Sequence, residues 1–359
     1  MSHKSYSRCV LGIDRGGTKC DAVLATEDGI VIGTGQCAFT DPESGRGWRG
    51  SGRSLESTSI AVDRAMEGVV CEELILTGSV ARLELDSFDA HGVVNVQRFP
   101  VAESDAAFAL SGEDFGLVVL AGTGAFVAGR TPDGRSAYID GLGPMLGDYG
   151  SGYMIGSLAL KAAAKSFWHP RHATSITELV YDAAIGPHHL RNRGEGSKSG
   201  GMDYDGGNVG YALVGYTLGD RDRSEIAAFA RIVDGEANRG DAVAREILLT
   251  AASSIAETVY DAVDRLGMAA AGYPMIAAGS VAVRSKIYWA HLCSLVKEFA
   301  PSIRPIVPDL PQVIGGMFAA SRKMHGIDPD TFRKNLSRSY RDTDHDRLYT
   351  SGSEATDRP

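Results

Sequence analysis

The stretch RCVLGIDRGGTKCDA, residues 8 to 22, decides the fold predicted for this chain of 359 residues. Apolar runs suited to buried strands occupy residues 9–13 and 22–25, and the turn between them is rich in glycine. Such a turn leaves backbone N–H groups free to bind phosphate oxygens. Asp14 in this turn would repel a phosphate unless a divalent cation lay between them, an arrangement in which Mg²⁺ is commonly held. The turn therefore indicates a phosphate site with Asp14 beside it.

Two better-known phosphate motifs do not fit this turn. A Walker A loop needs lysine before serine or threonine and a helix after it, whereas here Thr18 precedes Lys19 and a strand follows. No Gly-x-Gly-x-x-Gly opens a helix after a strand, so a Rossmann dinucleotide site is not expected. Taken alone, the turn is equally compatible with a β-hairpin that carries Asp-x-Gly-Gly by chance.

Composition limits the class of protein. Hydrophobic content of 43% and charged content of 23% are ordinary for a globular protein, and the length predicts two domains. The net charge of −9 and the lack of a basic stripe argue against a nucleic-acid partner. No apolar run reaches the roughly 20 residues of a membrane span. Five scattered cysteines without a Cys-x-x-Cys pair are typical of a reducing compartment, so we expect a cytoplasmic protein with no membrane partner.

The order strand, glycine turn, strand, turn and strand occurs twice in the chain. The first copy covers residues 8 to 36. In the second copy the apolar run 117–121 leads into Gly122-Thr123-Gly124, and further strand segments follow at 126–129 and 137–139. Strands alternate with helical segments in both halves, which is the pattern of an α/β sheet. Two similar halves of duplicated fold explain this repetition.

Several helices are predicted from caps and from apolar spacing. Ser151 is positioned to cap a helix over residues 153–168, and a stripe of apolar residues three and four apart predicts a long helix over 241–266. Further helices are predicted at 55–69, at 286–299, at 312–324 and, capped by Ser104, as far as Leu110.

A third glycine turn, Ala278-Gly279-Ser280, ends the apolar run that begins at Pro274. With its two phosphate turns and this third turn, the chain resembles the superfamily of sugar kinases, actin and heat-shock ATPases. Within it, the chain is similar to the N-acetylglucosamine kinase and BadF/BadG/BcrA/BcrD-type ATPase group. The matching segments run in the family's order from residue 8 to about 320: LGIDRGGTKCDAVL, ESDAAFAL, LAGTGAFVAG, GLGPMLGDYGSGYMIG, GDAVAREIL, IAAGSV and PQVIGGMFAA.

The resemblance implies an α/β fold of two duplicated actin-like (ribonuclease H-like) domains around an ATP cleft. The first domain would span 6–112, joined by the C-terminal helix 312–325, and the second would span 113–311. The polar residues 337–359 are expected to form a disordered tail. The implied activity is ATP-dependent, Mg²⁺-dependent transfer of a phosphoryl group to a hydroxyl of an amino sugar or related hexose, with N-acetylglucosamine or glucosamine foremost. Whether the protein forms a homodimer stays open.

The resemblance also implies the role of each site residue. Asp105 matches the family's catalytic aspartate, the base for the attacking hydroxyl, although alone it is an ordinary first-turn helix acid. Asp14 would hold Mg²⁺ through water. The implied ATP phosphate-binding residues are Gly16, Gly17, Thr18, Lys19, Gly122, Thr123 and Gly124, with Gly279 and Ser280 against the adenosine. The implied substrate-binding residues are Ser79, Asp105, Thr123, Asp148 and Tyr149.

Departures from the family pattern affect the substrate more than the reaction. Tyr149 stands where the family usually has glutamate, and Ala125 and Phe126 stand where the kinases commonly have Ser-Asn. Phosphoryl transfer from ATP is thus a firmer expectation than N-acetylglucosamine as the acceptor.

Two other functions remain open on the same fold. One is an ATPase that activates a partner enzyme, but such relatives carry iron–sulfur cysteines that the glycine turns lack. The other is a non-catalytic sugar-sensing regulator, which we expect to carry a helix-turn-helix before the first turn and to lack Asp14 or Asp105. Here only seven residues precede Arg8, and both aspartates are present.

Overall fold

A computed structural model describes residues 4–16, 19–38, 50–80, 88, 91–186, 207–219 and 221–343. Gly17 and Thr18, which were predicted to bind phosphate, lie outside the described residues. In the described part of the chain, the strands form two five-stranded sheets, one in each half of the sequence.

The first sheet is built around the strand that the opening motif predicts. Its strands are β1 (Lys4–Arg15), β2 (Lys19–Thr26), β3 (Val31–Ala38), β4 (Val69–Gly78) and β5 (Asn95–Pro100), in the spatial order β3-β2-β1-β4-β5. β2 runs antiparallel to β1 and to β3, whereas β4 runs parallel to β1 and to β5. The antiparallel register places Asp14 directly opposite Asp21.

The second sheet repeats this plan. Its strands are β6 (Gly116–Ala121), β7 (Ala125–Arg130), β8 (Ser136–Asp140), β9 (Pro274–Ala278) and β10 (Arg304–Ile306), in the spatial order β8-β7-β6-β9-β10. β7 is antiparallel to its two neighbours, and β9 is parallel to its two neighbours. Strand order and directions are therefore the same in both sheets, which confirms the duplication and the α/β class inferred from the sequence.

The helices of the described residues lie between and around the sheets. They are α1 (Gly50–Ala65), α2 (Glu103–Ser111), α3 (Gly152–Lys165), α4 (Ile176–Ile185), α5 (Gly207–Leu218), α6 (Arg223–Ala227), α7 (Ala230–Asn238), α8 (Ala242–Leu266), α9 (Gly279–Arg284), α10 (Lys286–Phe299), α11 (Gln312–Ser321) and α12 (Pro329–Arg341). The predicted cap of α3 is confirmed, because Ser151 Oγ accepts a hydrogen bond of 3.1 Å from the Met154 N–H. Among the described residues, none of the helices combines the length and the hydrophobicity that a membrane-spanning segment requires.

Two helix predictions are wrong in detail. The helix expected over 55–69 ends at Ala65, because Gly68 adopts a φ of 70° and Val69 pairs with Lys4 as the first residue of β4. Ser104 was expected to cap α2, but the N-cap position is Ala102, which offers no side-chain hydrogen bond. Ser104 instead lies inside the first turn of that helix.

The prediction of a disordered tail over residues 337–359 is wrong for its first residues, since α12 continues to Arg341. Phe332, Leu336 and Tyr340 recur every four residues and are buried against the first sheet, a helical stripe that the sequence reading missed. Ser339 fixes the helix to the β2–β3 turn, since its Oγ donates to the Gly29 carbonyl at 3.2 Å. Residues 344–359 lie outside the described residues.

Two helices occupy the space between the sheets. Ile314 and Met317 of α11 pack on the first sheet, in one apolar cluster with Val10 of β1. Phe108 of α2 packs on the second sheet, in a cluster with Phe126. α2 and α11 also pack against each other, so the two halves of the chain are joined through this helix pair. The division into domains at 112/113 and 311/312 remains a prediction.

Candidate active site

The glycine turns of both halves meet at one cleft, which has a cavity volume of about 380 Å³. The ends of β1 and β6 and the start of α9 supply its walls. Of the residues implied as site residues, the following line it: Asp14, Gly16, Lys19, Gly122, Thr123, Gly124, Asp148, Gly279 and Ser280. Ser79, Asp105 and Tyr149 are not among the lining residues. The structure therefore brings together the proposed nucleotide residues and leaves part of the proposed sugar set outside.

Lys19 does not project freely into the cleft. Its Nζ forms an ion pair of 2.8 Å with Asp21 Oδ2, and the Gln36 amide donates a hydrogen bond of 2.6 Å to Asp21 Oδ1. Asp21 is buried and lines the same cleft, yet the sequence reading did not select it. Its position opposite Asp14 follows from the hairpin register, and that register is the signal by which Asp21 could have been identified. Asp21 holds the lysine ammonium at the rim of the first turn.

Asp14 lies in a crowded acidic setting. Burial raises the pKa of its carboxyl to about 7, with further contributions from the charges of Asp21 and Glu103 and an opposing one from Lys19. A divalent cation would relieve this repulsion, and one carboxylate with phosphate oxygens and water is the donor set that suits Mg²⁺. In the described part of the chain no three His, Cys, Asp or Glu residues are grouped to hold a metal ion by themselves. The residues present thus fit a cation that is bound together with a nucleotide.

The second glycine turn is fixed by backbone contacts. The Gly122 N–H donates to the Gly124 carbonyl at 2.9 Å, and the Gly152 N–H at the start of α3 donates to the Gly122 carbonyl at 2.7 Å. Gly279 adopts a φ of 78°, and a Cβ there would lie 2.5 Å from the Ala121 carbonyl oxygen. The second and third glycine turns consequently pack directly against each other, with no room for a side chain between them.

Asp148 stabilises the second glycine turn through its carboxylate. Its Oδ1 accepts a hydrogen bond of 3.2 Å from the Ala125 N–H, and its Oδ2 forms an ion pair of 3.4 Å with Arg223. Only 4% of Asp148 is exposed, and a Cβ on Gly124 would lie 2.9 Å from its carboxylate. The carboxylate that lines the cleft at this point is therefore already bound by the protein.

Asp140 is a second residue that the sequence reading missed. Its carboxylate accepts the Asp148 N–H at 2.7 Å and the Tyr149 N–H at 2.9 Å. Asp140 and Asp148 both have positive φ angles, of 72° and 58°. The two bonds hold the glycine-rich loop 141–149 in a tight bend, which turns the Tyr149 side chain outward to 53% exposure.

Asp105 lies on a different face of α2 from the cleft. Asp105 is two positions away from the residue of α2 that lines the cleft, and residues two apart on a helix differ by about 200° around its axis. Asp105 lines a separate pocket of about 210 Å³ with Asp114 and Arg322, and its Oδ1 accepts a hydrogen bond of 2.5 Å from Arg130. The Arg130 guanidinium also lies over the Phe108 ring, 4.8 Å from its centre. The structure does not bring Asp105 into the cleft, so the base role that the resemblance implies remains a prediction.

Glu103, on the first turn of α2, does line the cleft. Desolvation by the surrounding protein raises the pKa of its carboxyl. Its charge contributes to the raised pKa of Asp14 on one side and, after desolvation, to that of Tyr138 on the other. Glu103 belongs to the matching segment ESDAAFAL, in which the resemblance implies a role for Asp105 and none for Glu103.

An aromatic pair lines the cleft wall on the second sheet. Phe126 and Tyr138 stack with ring centres 4.7 Å apart and an angle of 27° between the rings. Phe126 is buried, whereas Tyr138 is 60% exposed and lines the cleft. This wall is therefore aromatic at the position where the sequence departs from the family's asparagine.

The chain is similar in sequence to known proteins. The sequence profile of the BadF/BadG/BcrA/BcrD ATPase family matches residues 11–320. An N-acetylmuramic acid/N-acetylglucosamine kinase from Clostridium acetobutylicum is 28% identical over 294 residues, which are 76% of this chain and 85% of that protein.

Two solved structures share the fold at lower identity. One is a Chromobacterium violaceum protein to which N-acetylglucosamine kinase activity is ascribed; it superposes with a TM-score of 0.57 at 19% identity, over 87% of this chain and 99% of that one. The other is a ROK family glucokinase from Streptomyces griseus in complex with glucose and AMPPNP, with a TM-score of 0.50 at 16% identity, over 88% and 100%.

Proposed function

We propose that this chain, which belongs to the BadF/BadG/BcrA/BcrD ATPase family, transfers the γ-phosphoryl group of ATP to a hydroxyl of an amino sugar or related hexose. The observation that carries the proposal is the meeting of three glycine turns, from both halves of the chain, at one cleft that also contains carboxylates. The 28% identity to an N-acetylmuramic acid/N-acetylglucosamine kinase supports an amino sugar as the acceptor.

The nucleotide phosphates would bind at the first two turns. Backbone N–H groups of Gly16, Thr123 and Gly124 would donate to phosphate oxygens, with the Lys19 ammonium beside them. Asp14 would hold Mg²⁺, which supplies positive charge to the phosphates. Phosphoryl transfer depends mainly on such positioning and charge neutralisation, so a cleft of this composition suits it.

The adenosine would bind at the third turn. Gly279 and Ser280 line the same cleft as several apolar residues, among them Val283, Pro308 and Leu310. Apolar walls with a few polar groups are typical of sites for planar organic ligands. The base would thus bind deep in the cleft with its phosphates directed towards the other two turns.

The acceptor sugar would bind on the side of the cleft that Tyr138 and Arg223 line. The exposed Tyr138 ring offers an apolar surface with a polar tip, which suits the mixed faces of a hexose. Thr123, on the second turn, would supply a hydroxyl to the same ligand.

A coupled assay tests this proposal and separates it from the two alternatives. ADP release is measured from ATP and Mg²⁺ with N-acetylglucosamine, glucosamine, N-acetylmuramic acid and glucose in turn, and without sugar. We expect turnover with at least one amino sugar and a matching amount of sugar phosphate. Hydrolysis that is independent of every sugar would favour the activating ATPase, and sugar binding without turnover would favour the regulator.

A further inference from the structure

Among the described residues, the cleft is lined by four carboxyl groups and two cationic side chains. The carboxyl groups belong to Asp14, Asp21, Glu103 and Asp148, and the cations are Lys19 and Arg223. Lys19 is paired with Asp21 beside the first glycine turn, where the proposed function places the phosphates. Arg223 is the first residue of α6, in the second half of the chain, and the proposed function gives its charge no ligand.

The backbone that carries Arg223 is fixed in place. Asp222 caps α6, since its Oδ1 accepts a hydrogen bond of 2.8 Å from the Ser224 N–H. The helix that follows packs closely on α3, where the Ile226 carbonyl oxygen leaves no room for a Cβ on Gly156. The guanidinium is therefore presented to the cleft from a rigid helix start.

The guanidinium of Arg223 lies against the loop 141–149. Its Nη1 is 3.4 Å from Asp148 Oδ2, and a Cβ on Gly143 would lie 3.5 Å from the same nitrogen. Charge-assisted bonds between nitrogen and a carboxylate are usually about 2.7 to 2.9 Å long, so this contact is a loose one. The side chain is 59% exposed, and a guanidinium has five N–H donors in a planar fork. Arg223 thus keeps donors for a second partner.

The charge of the cleft indicates which partner suits these donors. Four carboxyl groups and the phosphates of ATP would repel an acceptor that carries a negative charge, unless a cation received that charge. Lys19 stands at the phosphate turn, whereas Arg223 stands on the side that the proposed function gives to the sugar. The fork of an arginine matches the two oxygens of a carboxylate.

We propose that Arg223 determines the acceptor specificity by binding a carboxylate on a substituent of the sugar. This inference rests on the proposed function and narrows its substrate class to acidic amino sugars. The carboxylate takes no part in phosphoryl transfer, so its bonds to the guanidinium are the same in the ground state and in the transition state. Losing them should consequently raise KM more than it lowers kcat.

Three sugars test the proposal on the wild-type protein. N-acetylmuramic acid carries a carboxylate on a lactyl ether, its methyl ester has nearly the same shape without the charge, and N-acetylglucosamine lacks the substituent. We expect kcat/KM for the acid to exceed that for the ester by about tenfold or more, the usual value of hydrogen bonds to a charged group. Equal use of acid and ester would overturn the proposal.

Two variants then assign the effect to the side chain, with Arg245→Gln, an exposed change on α8, as the matched control. The quantity compared is the ratio of kcat/KM for N-acetylmuramic acid to that for N-acetylglucosamine, in which effects on ATP binding, on folding or on Asp148 cancel. Arg223→Gln should lower this ratio by about ten- to a hundredfold, and Arg223→Lys, which keeps the charge without the fork, by less. Arg245→Gln should leave it within about twofold.

A ratio in Arg223→Gln equal to that of the control would overturn the assignment. The failure of the inference is also distinguishable from that of the proposed function. Turnover of N-acetylglucosamine without turnover of N-acetylmuramic acid would contradict the inference alone, whereas absence of turnover with every sugar would contradict the proposed function.

Discussion

Asp14 and Asp21 face each other across the antiparallel strands β1 and β2, so two carboxylates share one position of the hairpin at the wall of the cleft. Like charges directly opposite each other destabilise a strand pair. Lys19 and Gln36 both bind Asp21, and the charge of Lys19 does not prevent the raised pKa of Asp14. This arrangement is unfavourable for an isolated hairpin and favourable for a site that binds a cation.

The first prediction concerns stability against pH without nucleotide or divalent cation. The pKa of Asp14 is raised to about 7 from its ordinary value near 3.8. The folded state thus holds this proton more tightly, and the stability that it contributes is present below pH 4 and is lost as pH rises through 7. Asp14→Asn should therefore be more stable than wild type at pH 8, by on the order of 2 kcal/mol, and equally stable at pH 4.

Urea unfolding at the two pH values measures this difference. Glu257→Gln, an exposed change on α8, is the matched control and should behave as wild type at both. A wild-type protein that is as stable as Asp14→Asn at pH 8 would show that Asp14 is not repelled in the folded state.

The second prediction compares two glycines with similar backbone angles. Gly279 and Gly134 have φ angles of 78° and 88°, but only Gly279 has atoms within 4 Å of an added Cβ. Gly134→Ala should cost only the backbone strain, about 1 kcal/mol. Gly279→Ala should cost more and also weaken AMPPNP binding by at least about tenfold, because it separates the second and third turns.

Calorimetry with AMPPNP and thermal unfolding of both variants check this comparison. Equal nucleotide affinity in Gly279→Ala and Gly134→Ala would mean that contact between the two turns is not needed for nucleotide binding.

The third prediction separates two exposed tyrosines near the cleft. Tyr138 lines it, whereas Tyr149, which the sequence marked as a substrate residue, does not. Tyr138→Ala should raise KM for the acceptor sugar by up to about tenfold, since a packed aromatic surface contributes roughly 0.5 to 1.5 kcal/mol. Tyr149→Ala should leave KM within about twofold. Steady-state kinetics would contradict this interpretation if Tyr149→Ala had the larger effect.

The fourth prediction concerns the loop that Asp140 holds. Asp140→Ala removes the acceptor for the Asp148 and Tyr149 N–H groups. Loss of two hydrogen bonds to a charged acceptor should cost about 2 to 4 kcal/mol. Unfolding measurements that include Asp261→Ala, an exposed aspartate on α8, give the comparison. A cost no larger than that of the control would show that the loop keeps its bend without Asp140.

Much of the fold could be predicted from local pattern. The apolar runs before Asp14 and Gly122 identified the central strands, and the repeated order of strands identified the duplication. Local signals did not determine where α1 ends, because Gly68 and the pairing of Val69 with Lys4 decide it through the sheet. α12 was missed because its apolar residues are separated by arginines and serines, and only contact with the first sheet makes them a core stripe.

The candidate site, like the fold, could be predicted only in part from local sequence. The glycine turns could be predicted because backbone shape depends on local sequence. Side-chain direction could not, since it depends on how α2 rotates against the second sheet. Glu103 and Asp105 are separated by one residue, yet they line different pockets. Asp21 and Asp140 act by binding other parts of the site, and such contacts have no motif.

Transfer of the γ-phosphoryl group itself tests the central claim most directly. The protein is incubated with Mg²⁺, an amino sugar and ATP labelled in its γ-phosphate, and the sugars are then separated from nucleotide and inorganic phosphate. We predict that the label appears in a sugar phosphate with wild type, and at a strongly reduced rate with Asp14→Asn at the same Mg²⁺ concentration. Label that appears only in inorganic phosphate, or that stays in ATP with every sugar, would contradict the account.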